Sequence, residues 1–179
     1  MRAIYLAGFD VFRPDAREHG RRLKDLCRQY GFEGLYPLDN EAPAALEGRD
    51  LARWIFEANI GLLRRADLVM ANLNPFRGAE PDSGTVFEVG WAVARGIPVW
   101  AYTEAARPLV EQIPSTRRGP GFVDAEGYTV EDFGLNLNLM IACSVETVIG
   151  DAQACLRRIA GEMAPDEAAI QVPGHTGLV

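Results

Sequence analysis

Two carboxylates mark the stretch of this chain best equipped for chemistry. Glu80-Pro81-Asp82-Ser83-Gly84-Thr85-Val86-Phe87-Glu88-Val89-Gly90 falls where an apolar run (Asp67 to Leu73) gives way to a helical pattern (Gly84 to Arg95), with Asp82 six residues ahead of Glu88. A pair of acids beside one crevice is the usual equipment for reactions at an anomeric carbon. Val86, Phe87, Val89, Trp91, Ala92, Val93 and Ala94 make the helix apolar on almost every side, which predicts a largely buried element. Glu88 is its only acid, and desolvation there raises a carboxyl pKa. The same residues also fit a purely structural reading. Thr85-Val86-Phe87-Glu88 matches a capping box, in which the acid reaches back to the N–H of Thr85. Asp82 equally suits an ordinary turn.

The surrounding elements must place these acids at a crevice. Ala3 to Ala7 is short, apolar and closed by Gly8, as in a buried parallel strand that feeds a loop. Ala16 to Tyr30 carries Leu23, Leu26 and Cys27 at helical spacing and stops at Gly31. A second strand is expected over Glu33–Tyr36, then a loop over Asp39–Glu47 and a helix over Leu51–Arg65 through Trp54, Ile55, Ala58 and Leu62. Strands over Asp67–Leu73 and Ile97–Tyr102 flank the Gly84–Arg95 helix. This alternation predicts an α/β, doubly wound (Rossmann/flavodoxin-like) parallel sheet flanked by helices, in one domain over residues 1–163. Such sheets bind ligands outside the carboxyl ends of their strands, which directs attention to Gly8–Asp15, Asn72–Gly84 and the chain beyond Thr103. Glu104 to Glu131 reads as a long loop, Leu135–Ser144 and Gly150–Met163 as helices, and residues 164–179 as a frayed tail.

Composition removes several classes of function. With 48% hydrophobic and 24% charged residues the chain is an ordinary globular protein. A net charge of -7 and scattered Arg pairs argue against nucleic acid as partner. No run of about 20 apolar residues is present to span a bilayer, and Asp10 and Arg13 break the apolar start that a signal peptide needs, so a cytoplasmic location is expected. Cys27, Cys143 and Cys155 are too few and too far apart for zinc or a disulfide framework; Cys27 and Cys155 read as small buried hydrophobes. His19 and His175 are isolated and read as surface residues, so no metal and no cofactor is expected. There is no Gly-x-Ser-x-Gly elbow and no phosphate loop.

Four motifs in order carry a resemblance. The stretch from Asn74 to Gly90 resembles the signature of the nucleoside 2-deoxyribosyltransferase family. Ile4-Tyr5-Leu6-Ala7-Gly8 with Val11-Phe12-Arg13-Pro14-Asp15 resembles its first strand and loop. Tyr36-Pro37-Leu38-Asp39-Asn40-Glu41 is similar to the segment after its second strand, and Phe133 to Met140 to its Asn-Leu-Met motif. The resemblance spans roughly residues 3 to 160.

What it implies can be stated residue by residue. Glu88 matches the nucleophile that attacks the anomeric carbon and releases the base, and Tyr5 the tyrosine that orients it. Asp82 matches an aspartate that holds the sugar hydroxyls. Asn138 matches an asparagine that reaches the 5'-hydroxyl from a neighbouring subunit, which implies a homo-oligomer (dimer or hexamer). Gly8 and Phe12 belong to the loop lining the base pocket, where an aromatic face stacks on a base. Asn59 stands where some members carry an aspartate that assists base protonation. An amide delivers no proton at neutral pH, which leaves that step to Asp82 or water. The implied partners are 2'-deoxynucleosides and free purine or pyrimidine bases, with no nucleic acid and no membrane. Two rivals remain. One is a 2'-deoxynucleoside 5'-monophosphate N-glycosidase that gives the intermediate to water, disfavoured by Asp82 beside a phosphate. The other is a non-catalytic nucleotide-binding module.

Overall fold

The computed structural model describes residues 1–163; the tail expected over 164–179, with His175, lies outside them. In chain order the elements are β1 (Arg2–Ala7), α1 (Ala16–Gln29), β2 (Phe32–Leu35), α2 (Gly48–Arg65), β3 (Leu68–Asn72), α3 (Ser83–Ala94), β4 (Val99–Thr103), α4 (Leu109–Gln112), β5 (Thr116–Arg118), β6 (Gly121–Val123), β7 (Thr129–Val130), α5 (Leu139–Ala142), β8 (Glu146–Ile149) and α6 (Ala152–Met163). Short 3-10 turns cover Phe9–Phe12 and Pro37–Asp39. The main sheet is parallel in the order β2-β1-β3-β4-β8, so the expected doubly wound sheet is present.

Both faces of the sheet are covered, which is why its strands are continuously apolar. Alternation along each strand sorts the side chains. Ile4, Leu6, Leu68, Met70, Trp100 and Tyr102 pack with Leu23 and Cys27 of α1 and Cys155, Leu156 and Ile159 of α6. Tyr5, Ala7, Val69, Ala71, Val99 and Ala101 face the other way, toward Ile60 and Leu63 of α2 and Val89 and Ala92 of α3. Burial pushes the Cys27 and Cys155 thiols up to about 12, in keeping with their reading as small hydrophobes; Cys143 is exposed.

Three expectations need correction, and one strand had no expectation at all. The α3 helix is not buried all round: Phe87, Gly90, Val93 and Ala94 are exposed, because a helix in an outer layer keeps one side toward solvent. The stretch over 104–131 is not a plain loop. It holds α4 and a small antiparallel sheet, β5-β6-β7, whose tight reversals use Gly119 (φ 62°) and Gly127 (φ 90°). Leu135–Ser144 yields only the single turn of α5. The residues before it form a bent segment held against the chain after β4, where Leu109 N–H donates to Leu135 O (2.7 Å) and Asn136 Nδ2 to Ala105 O (2.7 Å). That pairing competes with helix. Finally, Glu146–Ile149 forms the fifth strand, an edge whose partner, β4, lies far back in sequence.

Candidate active site

The strand alternation that sends Ile4 and Leu6 toward α1 and α6 aims Tyr5 at α3. Tyr5 is fully buried, and its hydroxyl donates to Glu88 Oε1 at 2.5 Å. Glu88 stands on the second turn of α3 between buried Thr85 and Val89 and is itself mostly buried. Burial pushes its carboxyl up to about 7; the Tyr5 hydrogen bond pulls it down, and the negative charge of Asp82 pushes it further up. Burial, with the charge and hydrogen bond of Glu88, raises the Tyr5 phenol well above its ordinary value. Tyr5 therefore remains a donor throughout the working pH range, holding one carboxylate oxygen and leaving the other open.

Asp82 is the N-cap of α3, with Oδ2 accepting from the Thr85 N–H (2.9 Å) and the Thr85 hydroxyl (3.0 Å). The capping-box reading of Thr85 and Glu88 is thereby overturned. Aspartate outranks threonine as a cap, so the helix begins at Ser83 and Glu88 moves into its second turn, free to meet Tyr5.

Gly8 ends β1 in tight quarters: a Cβ there would approach Asp10 Oδ2 to 2.7 Å and Asn72 Cβ to 2.9 Å. Both neighbours belong to a polar chain along the carboxyl ends of β1, β3 and β4. Asn72 Nδ2 donates to the buried Asp10 carboxylate (2.9 Å), Asn72 Oδ1 accepts from Asn74 Nδ2 (2.8 Å), and Asn74 Oδ1 accepts from the Glu104 N–H (2.8 Å). His19 is half-buried, not an isolated surface residue, with Nε2 3.1 Å from Asp10 Oδ1. The Phe9–Phe12 turn folds Asp10 back onto α1, a contact between neighbouring elements that no local pattern announces. Among the described residues no group of three or more His, Cys, Asp or Glu is placed to hold a metal ion.

Phe12 is exposed, stacked on Phe76 of the β3–α3 loop with centroids 5.4 Å apart; Phe76 also stacks on Phe9 at 4.9 Å. The Arg77 guanidinium lies over Phe76 (4.6 Å) and Phe12 (5.3 Å). The two loops singled out in the sequence are thus clasped together by their aromatic rings. Phe76 and Arg77 were missed as contributors, although Arg77 sits in a left-handed conformation (φ 56°) uncommon for a side chain of its size. Asn59, on α2, is half-buried and lines a cavity of about 240 Å³ with Val11, Leu38, Asn40, Trp54 and Ala58. The walls of that cavity include none of Tyr5, Asp82 and Glu88. Asn138 caps α5: its Oδ1 accepts from the Met140 N–H (3.0 Å), and its Nδ2 donates to Glu131 (2.7 Å). Glu131 was likewise missed, because it lies seven residues away in a stretch read as loop.

Comparison with known proteins places the chain in a family. The family model described as Nucleoside 2-deoxyribosyltransferase matches residues 4–140. An uncharacterized protein of Schizosaccharomyces pombe is 32% identical over 155 residues, 76% of this chain and 74% of that protein. The solved 2-desoxiribosyltransferase from Leishmania mexicana superposes with a TM-score of 0.74 at 31% identity, over 91% of this chain and 99% of that one. A conserved protein from Enterococcus faecalis V583 shares the fold at TM-score 0.61 and 23% identity, over 91% and 99% of the two chains. No described helix is long and apolar enough to cross a membrane. A family model that spans most of the chain, over a site that joins Tyr5 to Glu88, makes this protein a member of the nucleoside 2-deoxyribosyltransferase family.

Proposed function

We propose that the protein moves the 2-deoxyribosyl group of a 2'-deoxynucleoside from one nucleobase to another through a covalent ester on Glu88. The observation that carries this reading is the Tyr5–Glu88 hydrogen bond, which fixes one oxygen of a largely desolvated carboxylate and leaves the other free. Tyr5 holds Oε1, so Oε2 attacks C1' as the bond to the base breaks; the bonding pair leaves with the base, which takes a proton from water. Carboxylate charge stabilises the oxocarbenium character that develops, and collapse onto carbon gives the glycosyl ester. A nitrogen of the incoming base then attacks C1' from the vacated side, expels the Glu88 carboxylate and returns its proton to water. Two inversions retain the configuration.

Asp82 spends Oδ2 on its cap, which leaves Oδ1 for a sugar hydroxyl. Gly8, Phe12 and Asn59 are assigned to the base side. Asn138 is assigned to the 5'-hydroxyl of a neighbouring subunit's substrate in a homo-oligomer. The half-exposed pair Phe56 and Phe87, 6.1 Å apart on α2 and α3, offers such an assembly an apolar face.

Chromatography tests the reading. Deoxyadenosine is incubated with and without cytosine, and deoxycytidine, adenine and free deoxyribose are followed. Deoxycytidine that forms only with acceptor and vanishes in Glu88→Ala is the expected result. Adenine with free sugar regardless of acceptor reassigns the enzyme to hydrolysis, and no turnover of the nucleoside or its 5'-monophosphate points to the binding module.

A further inference from the structure

Glu131 follows directly on β7 and faces the start of α5. Its Oε1 accepts from Asn138 Nδ2 at 2.7 Å, and its Oε2 accepts from the Leu139 N–H at 2.9 Å. The Asn138 amide is held from its other end as well, since Oδ1 accepts from the Met140 N–H at 3.0 Å. Only the NH2 group donates to a carboxylate, so these bonds settle which way the amide faces. One N–H and one lone pair remain for a ligand. Bonds to an ionised acceptor are about twice as strong as neutral ones, which makes Glu131 the strongest constraint on Asn138.

Burial raises the pKa of Glu80, two residues before Asp82, and the charge of Glu131 raises it further.

We propose that Glu131 is a positioning and selecting residue for the 5' end of the substrate: it locks the Asn138 amide to meet a free 5'-hydroxyl, and its charge turns away a 5'-phosphate. This inference rests on the deoxyribosyl-transfer reading above. Selection by repulsion needs no contact with the preferred substrate, only like charges where the rejected one would place its own.

The test compares kcat/KM for 2'-deoxyadenosine, 2',5'-dideoxyadenosine and 2'-deoxyadenosine 5'-monophosphate in the wild type, Glu131→Gln and Glu131→Ala, with a melting temperature for each. The wild type is expected to prefer 2'-deoxyadenosine over its 5'-deoxy analogue by about tenfold or more. Glu131→Ala brings the two within about threefold, through a loss on the 5'-hydroxyl substrate alone. Glu131→Gln keeps an acceptor for Asn138 Nδ2 but removes the charge; it retains most of the hydroxyl preference and uses the monophosphate better relative to deoxyadenosine. Equal losses on all three substrates in Glu131→Ala would mark a merely structural role and overturn the inference. So would ratios unchanged in both variants. A wild type that turns over none of the three removes the transfer reading itself, a result distinct from a working transferase indifferent to Glu131.

Discussion

The Tyr5 hydroxyl and Glu88 Oε1 meet at 2.5 Å across the seam between β1 and α3, although 83 residues separate them. Each partner perturbs the other: the phenol is held in its protonated form, and the carboxyl, raised by burial to about 7, would stand higher still without the phenol's hydrogen bond. A carboxylate held this way has one free oxygen and a pKa close to neutrality.

The first consequence is a pH profile. In the proposed reaction attack on carbon needs ionised Glu88, so kcat/KM is expected to rise with pH to about 7 and level off above it. Tyr5→Phe removes the bond that lowers this pKa, so the acidic limb moves to higher pH, and kcat/KM at neutrality falls about tenfold or more. Asp82→Asn removes a charge that raises it, so the limb moves to lower pH. Rate profiles of the three proteins check both directions; a limb unmoved in Tyr5→Phe contradicts the assignment.

The same carboxyl costs stability. Its pKa is about 7 in the folded protein against 4.5 for the ordinary group, so between these values the folded state holds more protons than the unfolded one. Stability therefore falls as pH rises through this window, and the full cost is present above it. Glu88→Gln removes the charge and is expected to be more stable than wild type at pH 8 by about 1–3 kcal/mol, with no gain at pH 4. Urea unfolding at the two pH values measures the difference.

Asp82→Ala separates cap from catalysis. Loss of the bonds to Thr85 costs about 1 kcal/mol, a shift of a few degrees in Tm. The first turn of α3 also carries the position of Glu88, so kcat/KM is expected to fall about a hundredfold or more. A fall in Tm with activity intact in the folded protein confines Asp82 to capping.

Gly8 offers a similar separation. Gly8→Ala would force its methyl against Asp10 and Asn72, and overpacking of this kind costs about 1–3 kcal/mol. Lower thermal stability is expected even without substrate. Unchanged stability with weakened base binding instead leaves Gly8 purely a substrate contact.

The assignment of Asn138 to a neighbour's site is open to complementation. Glu88→Ala is expected to be nearly inactive and Asn138→Ala to lose about tenfold or more. Co-refolded in equal amounts as a symmetric dimer, they restore about one site in four, because one site of each mixed pair is intact. Mixtures no more active than the separate variants place Asn138 in its own chain's site or outside catalysis.

Periodicity and punctuation carry much of this protein. The apolar run of β1 closed by Gly8, the Leu23/Leu26/Cys27 stripe of α1 and the alternation through β4 are local patterns, set by which faces must be buried, and they specify the doubly wound sheet. The ordered motifs around Tyr5, Asp82, Glu88 and Asn138 are equally local, so the candidate residues were legible before any contact was known. What those residues touch was not. Thr85-Val86-Phe87-Glu88 reads equally well as a capping box, and only packing α3 on β1 gave Glu88 the phenol of Tyr5 and left the cap to Asp82. The burial of Asp10 against Asn72 and His19, the stacking of Phe12 on Phe76, the fifth strand at Glu146–Ile149 and the grip of Glu131 on Asn138 join segments whose own sequences carry no sign of the partner. Local sequence sets backbone preference and the burial of a face; which side chain meets which across that face is decided when the layers close, because only then do desolvated groups need one another.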